Sequence, residues 1–334
     1  MIAHSGKYRK KNGQRGYVMM NNFIFENKAK VYFGKGGVKE YLGGLLANFG
    51  ETVMLAYGGG SIKRNGVYDE IMGILNAAGK RVVEFDRIMS NPTYAKAQEG
   101  AVITNEEKTI KGALWGAQAE FAFLDPAYSL SVPMQQVISG AFDTLSHAME
   151  TYFGKPDENN LSDDINEAVM RSVIRNIRVL LTDPENYDVR SELAWASAMA
   201  ENGVLKIGKV TDFQCHMLEH QLGAYTNCNH GAGLAVIHPV LYRHIYKSGT
   251  ARFTRWAQNV WGIAPKGSDG ETAAAGIDAL AAFIKEIGLP TSFAELGIPD
   301  DTDFRAVADS TNVTAGCCKK LTRDEICEIL QECL

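Results

Sequence analysis

Four residues of this chain have the types and spacing of a metal site in which one coordination position stays open. Asp143 and His147 lie four positions apart, and residues at this spacing share one face of a helix. His216 and His230 follow later in the chain, separated by 13 residues. Three imidazoles and one carboxylate suit Fe²⁺ or Zn²⁺ and suit Mg²⁺ or Ca²⁺ poorly. A further position on such an ion can take a substrate oxygen, which indicates chemistry rather than a structural metal.

His220 repeats the four-residue spacing after His216, and its role has two functional interpretations. It is either a further ligand or a neighbour that hydrogen-bonds the substrate and relays a proton, a role suited to a side chain that titrates near neutral pH. The alternative is a core histidine that pairs with the backbone. For Asp143 and His147 the alternative is a surface or capping pair, which is common at this spacing. Two such segments in one chain favour the metal site.

The first part of the chain has the alternating pattern of an α/β domain. Residues 53–57 form a short apolar run that ends in a glycine turn at 58–60, and a helical pattern and a second apolar run at 81–85 follow. Strand, turn, helix and strand in this order predict a βαβ unit with parallel strands. We assign residues 21–130 to an α/β domain of the dinucleotide-binding type.

After Pro133 the strand pattern ends and long amphipathic helices follow. Residues 162–181 place their apolar side chains on one helical face. We therefore predict an all-helical domain over 131–334, and this domain carries all the candidate metal ligands. Residues 1–20 are basic and contain no acidic side chain, and we interpret them as a disordered extension.

The composition excludes several classes of protein. A net charge of −5 is too small to indicate nucleic acid or an anionic membrane as a partner. No apolar run approaches the roughly 18 residues of a membrane span. The six cysteines form no C-x-x-C pair, which predicts reduced thiols and a cytoplasmic location. Cys215 and Cys228 flank two of the histidines, and we interpret them as small buried side chains rather than ligands.

Several stretches of the chain have the form of motifs from one enzyme family. The stretches are 31–36, 57–66, 124–126, 140–150, 216–230 and 288–291. From about residue 21 to 334 the chain resembles the iron-containing (group III) alcohol dehydrogenases, in the branch of butanol dehydrogenases and NADPH-dependent aldehyde reductases. The resemblance implies a dehydroquinate-synthase-like fold with the site in a cleft between the two domains. It also implies a homodimer that transfers hydride between NAD or NADP and a short-chain alcohol or aldehyde.

The same resemblance implies which residues form the site. The ligands of Fe²⁺, or of Zn²⁺, correspond to Asp143, His147, His216 and His230. The additional pocket histidine of the family corresponds to His220. The glycine turn at the adenosine end of the cofactor corresponds to Gly59, Gly60 and Ser61, and a lysine on the nicotinamide side corresponds to Lys111. We add Lys63 as a cofactor residue because its charge can attract the 2′-phosphate of NADP.

The chain also departs from the family pattern. Members of the family carry a second glycine turn, G-G-G-S-x-x-D, for the pyrophosphate and a later loop ending in G-T-G-S-E, and neither motif is present here. Two distant parts of the pattern are joined near residues 100–101, which predicts an internal deletion of about two βαβ units of roughly 30 or more residues each. Such a loss predicts exposed sheet edges in the α/β domain. The competing hypothesis is a metal-binding remnant without dehydrogenase activity.

Overall fold

The computed structural model describes residues 23–88, 102–105, 110–113, 119–156, 159–313 and 318–334, with only the backbone described for the second and third of these ranges. The basic segment 1–20 and the junction at 100–101 lie outside them.

The first part of the chain is an α/β region built from short elements. Its strands are β1 (Lys30–Phe33), β2 (Thr52–Ala56), β3 (Arg81–Phe85), β4 (Val102–Asn105), β5 (Ile110–Ala113) and β6 (Phe121–Leu124). Its helices are α1 (Gly37–Leu46), α2 (Ser61–Arg64) and α3 (Val67–Ala77). Strands β2 and β3 pair in parallel on either side of α3, which confirms the predicted βαβ unit. Strand β1 pairs in parallel with β6.

Strands β4 and β5 form an antiparallel pair, which the sequence analysis did not predict. Only positions 106–109 separate the two strands, and a parallel crossover needs a dozen or more residues. With this pair, the described strands form three separate two-stranded sheets, β1–β6, β2–β3 and β4–β5. The pair β2–β3 leaves the side chains of Met54 and Val83 about half exposed, at 52% and 51%, so one face of this sheet is incompletely covered.

The rest of the chain is helical, and the change falls between the end of β6 at Leu124 and the residue Met134. Its longer helices are α4 (Met134–Tyr152), α5 (Leu161–Leu180), α6 (Tyr187–Glu201), α7 (Gln214–Thr226), α8 (His230–Ile245), α9 (Thr250–Asn259) and α10 (Asp269–Glu286). Three further helices follow, α11 (Phe293–Leu296), α12 (Phe304–Ser310) and α13 (Arg323–Glu332). Helix α5 begins at a capping box in which Asn160 and Asp163 satisfy each other's backbone N–H groups.

One continuous apolar core holds these helices together, and all its buried members lie from Ile138 onwards. Phe153 lies near its centre, where its ring stacks on Phe253 at 4.1 Å between centroids and meets Tyr242 at 5.0 Å. Helices α4, α7 and α8, which carry the candidate ligands, all contribute buried side chains to this core. The core therefore fixes the backbones from which those ligands project.

The two regions touch at few places among the described residues. The ring of Phe33 on β1 meets Trp195 on α6 edge to face, 6.0 Å between centroids. Strand β5 packs beside α7, the helix that carries His216 and His220. In the part of the chain that the structure describes, none of the helices has the length and apolar character needed to cross a bilayer.

Candidate metal centre

Three helices direct the four candidate ligands toward one point. Helix α4 supplies Asp143 and His147, α7 supplies His216, and α8 begins at His230. The oxygen Asp143 Oδ1 lies 3.5 Å from His147 Nε2, 3.3 Å from His216 Nε2 and 3.5 Å from His230 Nε2. The Nε2 atoms of His147 and His216 are 3.1 Å apart. Ligands about 2.0–2.1 Å from a tetrahedral ion lie about 3.3 Å from one another, so the spacing fits one ion.

Two buried glutamates contact the opposite nitrogens of these imidazoles. Nδ1 of His216 hydrogen-bonds Glu150, and Nδ1 of His230 hydrogen-bonds Glu219. A carboxylate can only accept a hydrogen bond, so the tautomer that satisfies each pair carries its proton on Nδ1. Each Nε2 then presents a lone pair toward Asp143. Both glutamates are fully buried.

The third histidine has a carboxylate neighbour of a different kind. Nδ1 of His147 contacts Glu201 at the end of α6, without the direction of a hydrogen bond. The side chain of Glu201 is 48% exposed and also pairs with Lys206 at 3.3 Å. The sequence analysis missed Glu150, Glu201 and Glu219. The signal available for Glu150 was its place seven residues after Asp143, and for Glu219 its place between two histidines.

The electrostatics of the cluster call for a cation. Asp143 Oδ1 is buried and receives no hydrogen bond with proper geometry. Burial raises the pKa of Asp143, but His216, His230 and His147 outweigh it and hold that pKa well below its usual range. Burial lowers the pKa of His216, whereas Glu150 and Asp143 together raise it to about 10. In the metal-free protein these carboxylates favour a protonated His216, and a divalent ion that binds the Nε2 lone pair would take the place of that proton.

Close backbone contacts at two glycines place the start of α8. A Cβ atom at Gly231 would overlap the carbonyl oxygen of Ser139 on α4, and one at Gly233 would lie 2.9 Å from Glu219 Cγ on α7. Asn229 caps α8 by accepting from Ala232 N at 3.0 Å. The backbone beside His230 is therefore tightly packed, because glycine alone allows this approach.

Phe213 is the N-cap residue of α7, and its backbone lies in the left-handed region, at φ 59°. Its ring lies 5.1 Å from the ring of His216 and 5.4 Å from that of His147, measured between centroids. An aromatic side chain therefore lies against two of the candidate ligands.

His220 lies beside the cluster rather than among the atoms that surround Asp143. It follows His216 by one turn of α7, and its ring lies 5.2 Å from that of His230 and 6.0 Å from that of His216. Ligand atoms of His220, Glu219 and His230 also lie within 4.8 Å of one another. This position is compatible with both functional interpretations of His220, a further ligand or a neighbour of the ligands.

The predicted cofactor residues lie in two places. Gly59 and Gly60 lie in the turn between β2 and α2, at the carboxyl end of a parallel strand, and Ser61 is the first residue of α2. Lys63 Nζ lies 4.6 Å above the ring of Tyr68 and 4.0 Å from Glu84. Lys111 lies on β5, opposite Thr104 of β4, and its side chain is outside the described part of the chain.

Comparison with known proteins identifies the family. The model described as "Fe-containing alcohol dehydrogenase family, C-terminal" matches residues 137–334, more than half of the chain, and that described as "Iron-containing alcohol dehydrogenase" matches residues 28–111. The chain therefore belongs to the iron-containing alcohol dehydrogenase family and is an oxidoreductase. This confirms the family expected from the sequence motifs.

Relatives of known name agree with this assignment. The "Probable NADH-dependent butanol dehydrogenase 1" of Bacillus subtilis is 30% identical, over 94% of this chain and all of that protein. The "NADPH-dependent aldehyde reductase YqhD" of Escherichia coli is 28% identical, over 84% of this chain and 90% of that protein. The crystal structure of NADH-dependent butanol dehydrogenase A from Thermotoga maritima superposes with a TM-score of 0.88 at 27% identity, covering 95% of this chain and all of that one.

The length of one alignment bears on the predicted deletion. The chain is 27% identical to the "NADH-dependent butanol dehydrogenase A" of Clostridium acetobutylicum over 389 residues, which is all of that protein and 94% of this chain. Because 94% of 334 residues is about 314, roughly 75 of the 389 aligned positions have no counterpart here. This size agrees with a loss of about two βαβ units of roughly 30 or more residues each.

Proposed function

We propose that this chain is a divalent-metal- and NAD(P)-dependent alcohol dehydrogenase or aldehyde reductase that acts on short-chain substrates such as butanol and butanal. The observation that carries the proposal is the convergence of three Nε2 atoms on Asp143 Oδ1, at 3.3–3.5 Å. The relatives named as butanol dehydrogenases and as an aldehyde reductase support the substrate class. Their names include both NADH and NADPH, so either cofactor is compatible with the proposal.

Asp143, His147, His216 and His230 would hold the metal in this proposal. The family name favours Fe²⁺, and the same donors suit Zn²⁺. When bound, the ion supplies Lewis acidity at a substrate oxygen and the nicotinamide supplies or takes the hydride. The residues of the chain fix the geometry, and the aromatic ring of Phe213 lies against two of the candidate ligands.

The other predicted residues have supporting roles in this proposal. His220 lies beside the cluster, where it can hold or pass the proton of the substrate hydroxyl. The turn of Gly59, Gly60 and Ser61 would contact the adenosine end of the cofactor, with Lys63 close to a 2′-phosphate. Lys111 lies on the strand that packs beside α7, which supports its assignment to the nicotinamide side.

The test is turnover of butanal by protein loaded anaerobically with Fe²⁺, in the presence of NADH or NADPH. We expect oxidation of the cofactor to follow substrate, and His216→Ala to abolish both bound metal and turnover. His244→Ala is the matched control, because His244 pairs with Glu332 far from the cluster and should leave turnover unchanged. Failure to bind either cofactor at millimolar concentration in calorimetry would contradict the proposal.

A second candidate function is metal binding without hydride transfer. The observation that favours it is the total of roughly 75 positions of the Clostridium relative without a counterpart here, together with the lack of a second G-G-G-S-x-x-D motif. It predicts metal bound at one ion per chain, lost in His216→Ala, and no oxidation of NADH or NADPH under any substrate. Turnover that disappears in His216→Ala would exclude this candidate.

A further inference from the structure

We propose that Glu150, Glu219 and Glu201 are positioning residues, each of which orients one of the metal-binding histidines through its Nδ1 atom. The inference rests on the proposed function, because it takes His216, His230 and His147 to be ligands. It assigns to each imidazole a separate carboxylate: Glu150 and Glu219 select the tautomer by accepting from Nδ1, and Glu201 attracts the Nδ1 side of His147 by its charge. Carboxylates in this position also make the ligand nitrogen more basic.

Glu150 is the most firmly held of the three. Its side chain is fully buried, and it accepts hydrogen bonds from Cys215 N at 2.6 Å and His216 N at 3.2 Å in addition to the one from the His216 ring. The first turn of α7 therefore fixes both oxygens of this carboxylate. Helix α4 supplies Asp143 and Glu150 on one rigid element, so one helix carries a ligand and the partner of another ligand.

Glu219 is the corresponding carboxylate for His230, and it projects from α7. It is fully buried on α7, accepts from the Nδ1 atom of His230, and lies 3.7 Å from the thiol of Cys228. Because Gly233 has no side chain, it leaves space for the side chain of Glu219; a Cβ at Gly233 would lie 2.9 Å from Glu219 Cγ. A residue without a side chain at this position lets the carboxylate reach the imidazole.

Glu201 differs from the other two in exposure and geometry. Its side chain is 48% exposed, its contact with His147 lacks hydrogen-bond direction, and Lys206 at 3.3 Å shares its charge. Water and Lys206 both weaken its hold on the imidazole. The three carboxylates should therefore differ in effect, with Glu150 and Glu219 above Glu201.

The experiment compares metal affinity in single variants of the full-length chain. Affinity for Co²⁺ and Zn²⁺ is measured by competition with a chelator, the visible spectrum of the Co²⁺ form reports ligand geometry, and the Tm of the metal-free protein reports folding. We expect Glu219→Gln and Glu150→Gln, which keep an acceptor oxygen, to weaken binding about 10-fold and Glu219→Ala about 100-fold. Glu201→Gln should weaken binding less than 10-fold.

The matched control is Glu192→Gln, which removes an exposed carboxylate from the same helix as Glu201 and should leave affinity unchanged. A purely structural role would lower the metal-free Tm and leave both the affinity of the folded fraction and the Co²⁺ spectrum as in the wild type, and that result would overturn the inference. Glu201 lies at the surface, so its variant tests the inference even where Glu150→Gln fails to fold. If Glu201→Gln and Glu219→Gln both bind metal as tightly as the control Glu192→Gln, the inference is overturned. Wild-type protein that binds neither Co²⁺ nor Zn²⁺ contradicts the proposed function as well.

Discussion

The helical region and the α/β region of this chain bury their apolar side chains to very different extents. Between residues 23 and 88 the buried apolar side chains are Val38, Leu46, Tyr57 and Leu75, whereas the core of the helical region runs without interruption from Ile138 to Cys333. The candidate ligands all lie in the second region. The comparison teaches that the candidate ligands project from helices with an apolar core of their own, to which the sheets that would contact the cofactor add no buried member.

The largest expected effect is on folding of the helical region. Phe153→Ala should lower the free energy of unfolding by about 3–5 kcal/mol, because it removes a ring that is 2% exposed and stacked in the core. Val83→Ala, at a side chain that is 51% exposed on β3, should change it by about 0.5 kcal/mol or less. Urea unfolding followed by tryptophan fluorescence measures both. Equal effects would remove the contrast between the two regions.

A buried histidine should make the helical region sensitive to acid. Burial lowers the pKa of His238, which contacts Ser146 at 2.6 Å, from 6.5 to about 4. Between pH 6.5 and about 4, His238 is therefore neutral in the folded state and protonated in the unfolded state. Stability is complete above pH 6.5 and falls as the pH drops from 6.5 to about 4, by about 3 kcal/mol in all. His238→Gln should flatten this part of the profile, and an unchanged slope in urea titrations from pH 4 to 7 would contradict the assignment.

Metal should stabilise one region and not the other. With free Zn²⁺ at about 100 times its Kd, the helical region should gain about 2.7 kcal/mol against unfolding. Hydrogen exchange measured by mass spectrometry should show slower exchange in peptides from 134–152 and 214–245, and no change in peptides from 52–85. The variant His216→Ala supplies the control, since it should lose the response. Protection that spreads equally into the β2–β3 pair would show that the regions are coupled.

The smallest expected effect concerns the cofactor. Lys63→Ala should raise KM for NADPH and leave KM for NADH nearly unchanged, because only NADPH carries the 2′-phosphate that this ammonium can attract. Steady-state kinetics with both cofactors measures the difference. Lys80→Ala is a matched control, since Lys80 binds the carbonyl oxygens of Phe49 and Gly50 at the other end of the β2–β3 pair. Equal changes in both KM values would place the 2′-phosphate elsewhere.

Patterns within a short stretch of sequence were sufficient to predict much of the fold. The apolar spacing over 162–181 predicted α5, which runs from Leu161 to Leu180, because a helix buries one face at a regular period. The turn at 58–60 and the runs beside it predicted β2 and β3 for a similar reason. The antiparallel pairing of β4 and β5 was not predicted, because the pairing direction of a strand depends on its neighbours in space.

The candidate site also contains residues that the sequence indicated and residues that it did not. Spacing and resemblance indicated Asp143, His147, His216 and His230, and the structure brings these four together. The carboxylates on their outer nitrogens were missed, because acidic residues are common and Glu201 lies far from His147 in the sequence. Only the packing of α6 against α4 brings that pair into contact. Residues that act through another side chain leave little trace in a linear pattern.

The missing side chain of Gly231 has a consequence for how relatives of this protein are judged. A Cβ atom there would lie 2.2 Å from the carbonyl oxygen of Ser139, so the first turn of α8, which begins at His230, would have to shift relative to α4. A homologue can thus keep all four candidate ligands and still hold them in a different arrangement. Surveys that score such enzymes by their ligands alone should weigh this position equally.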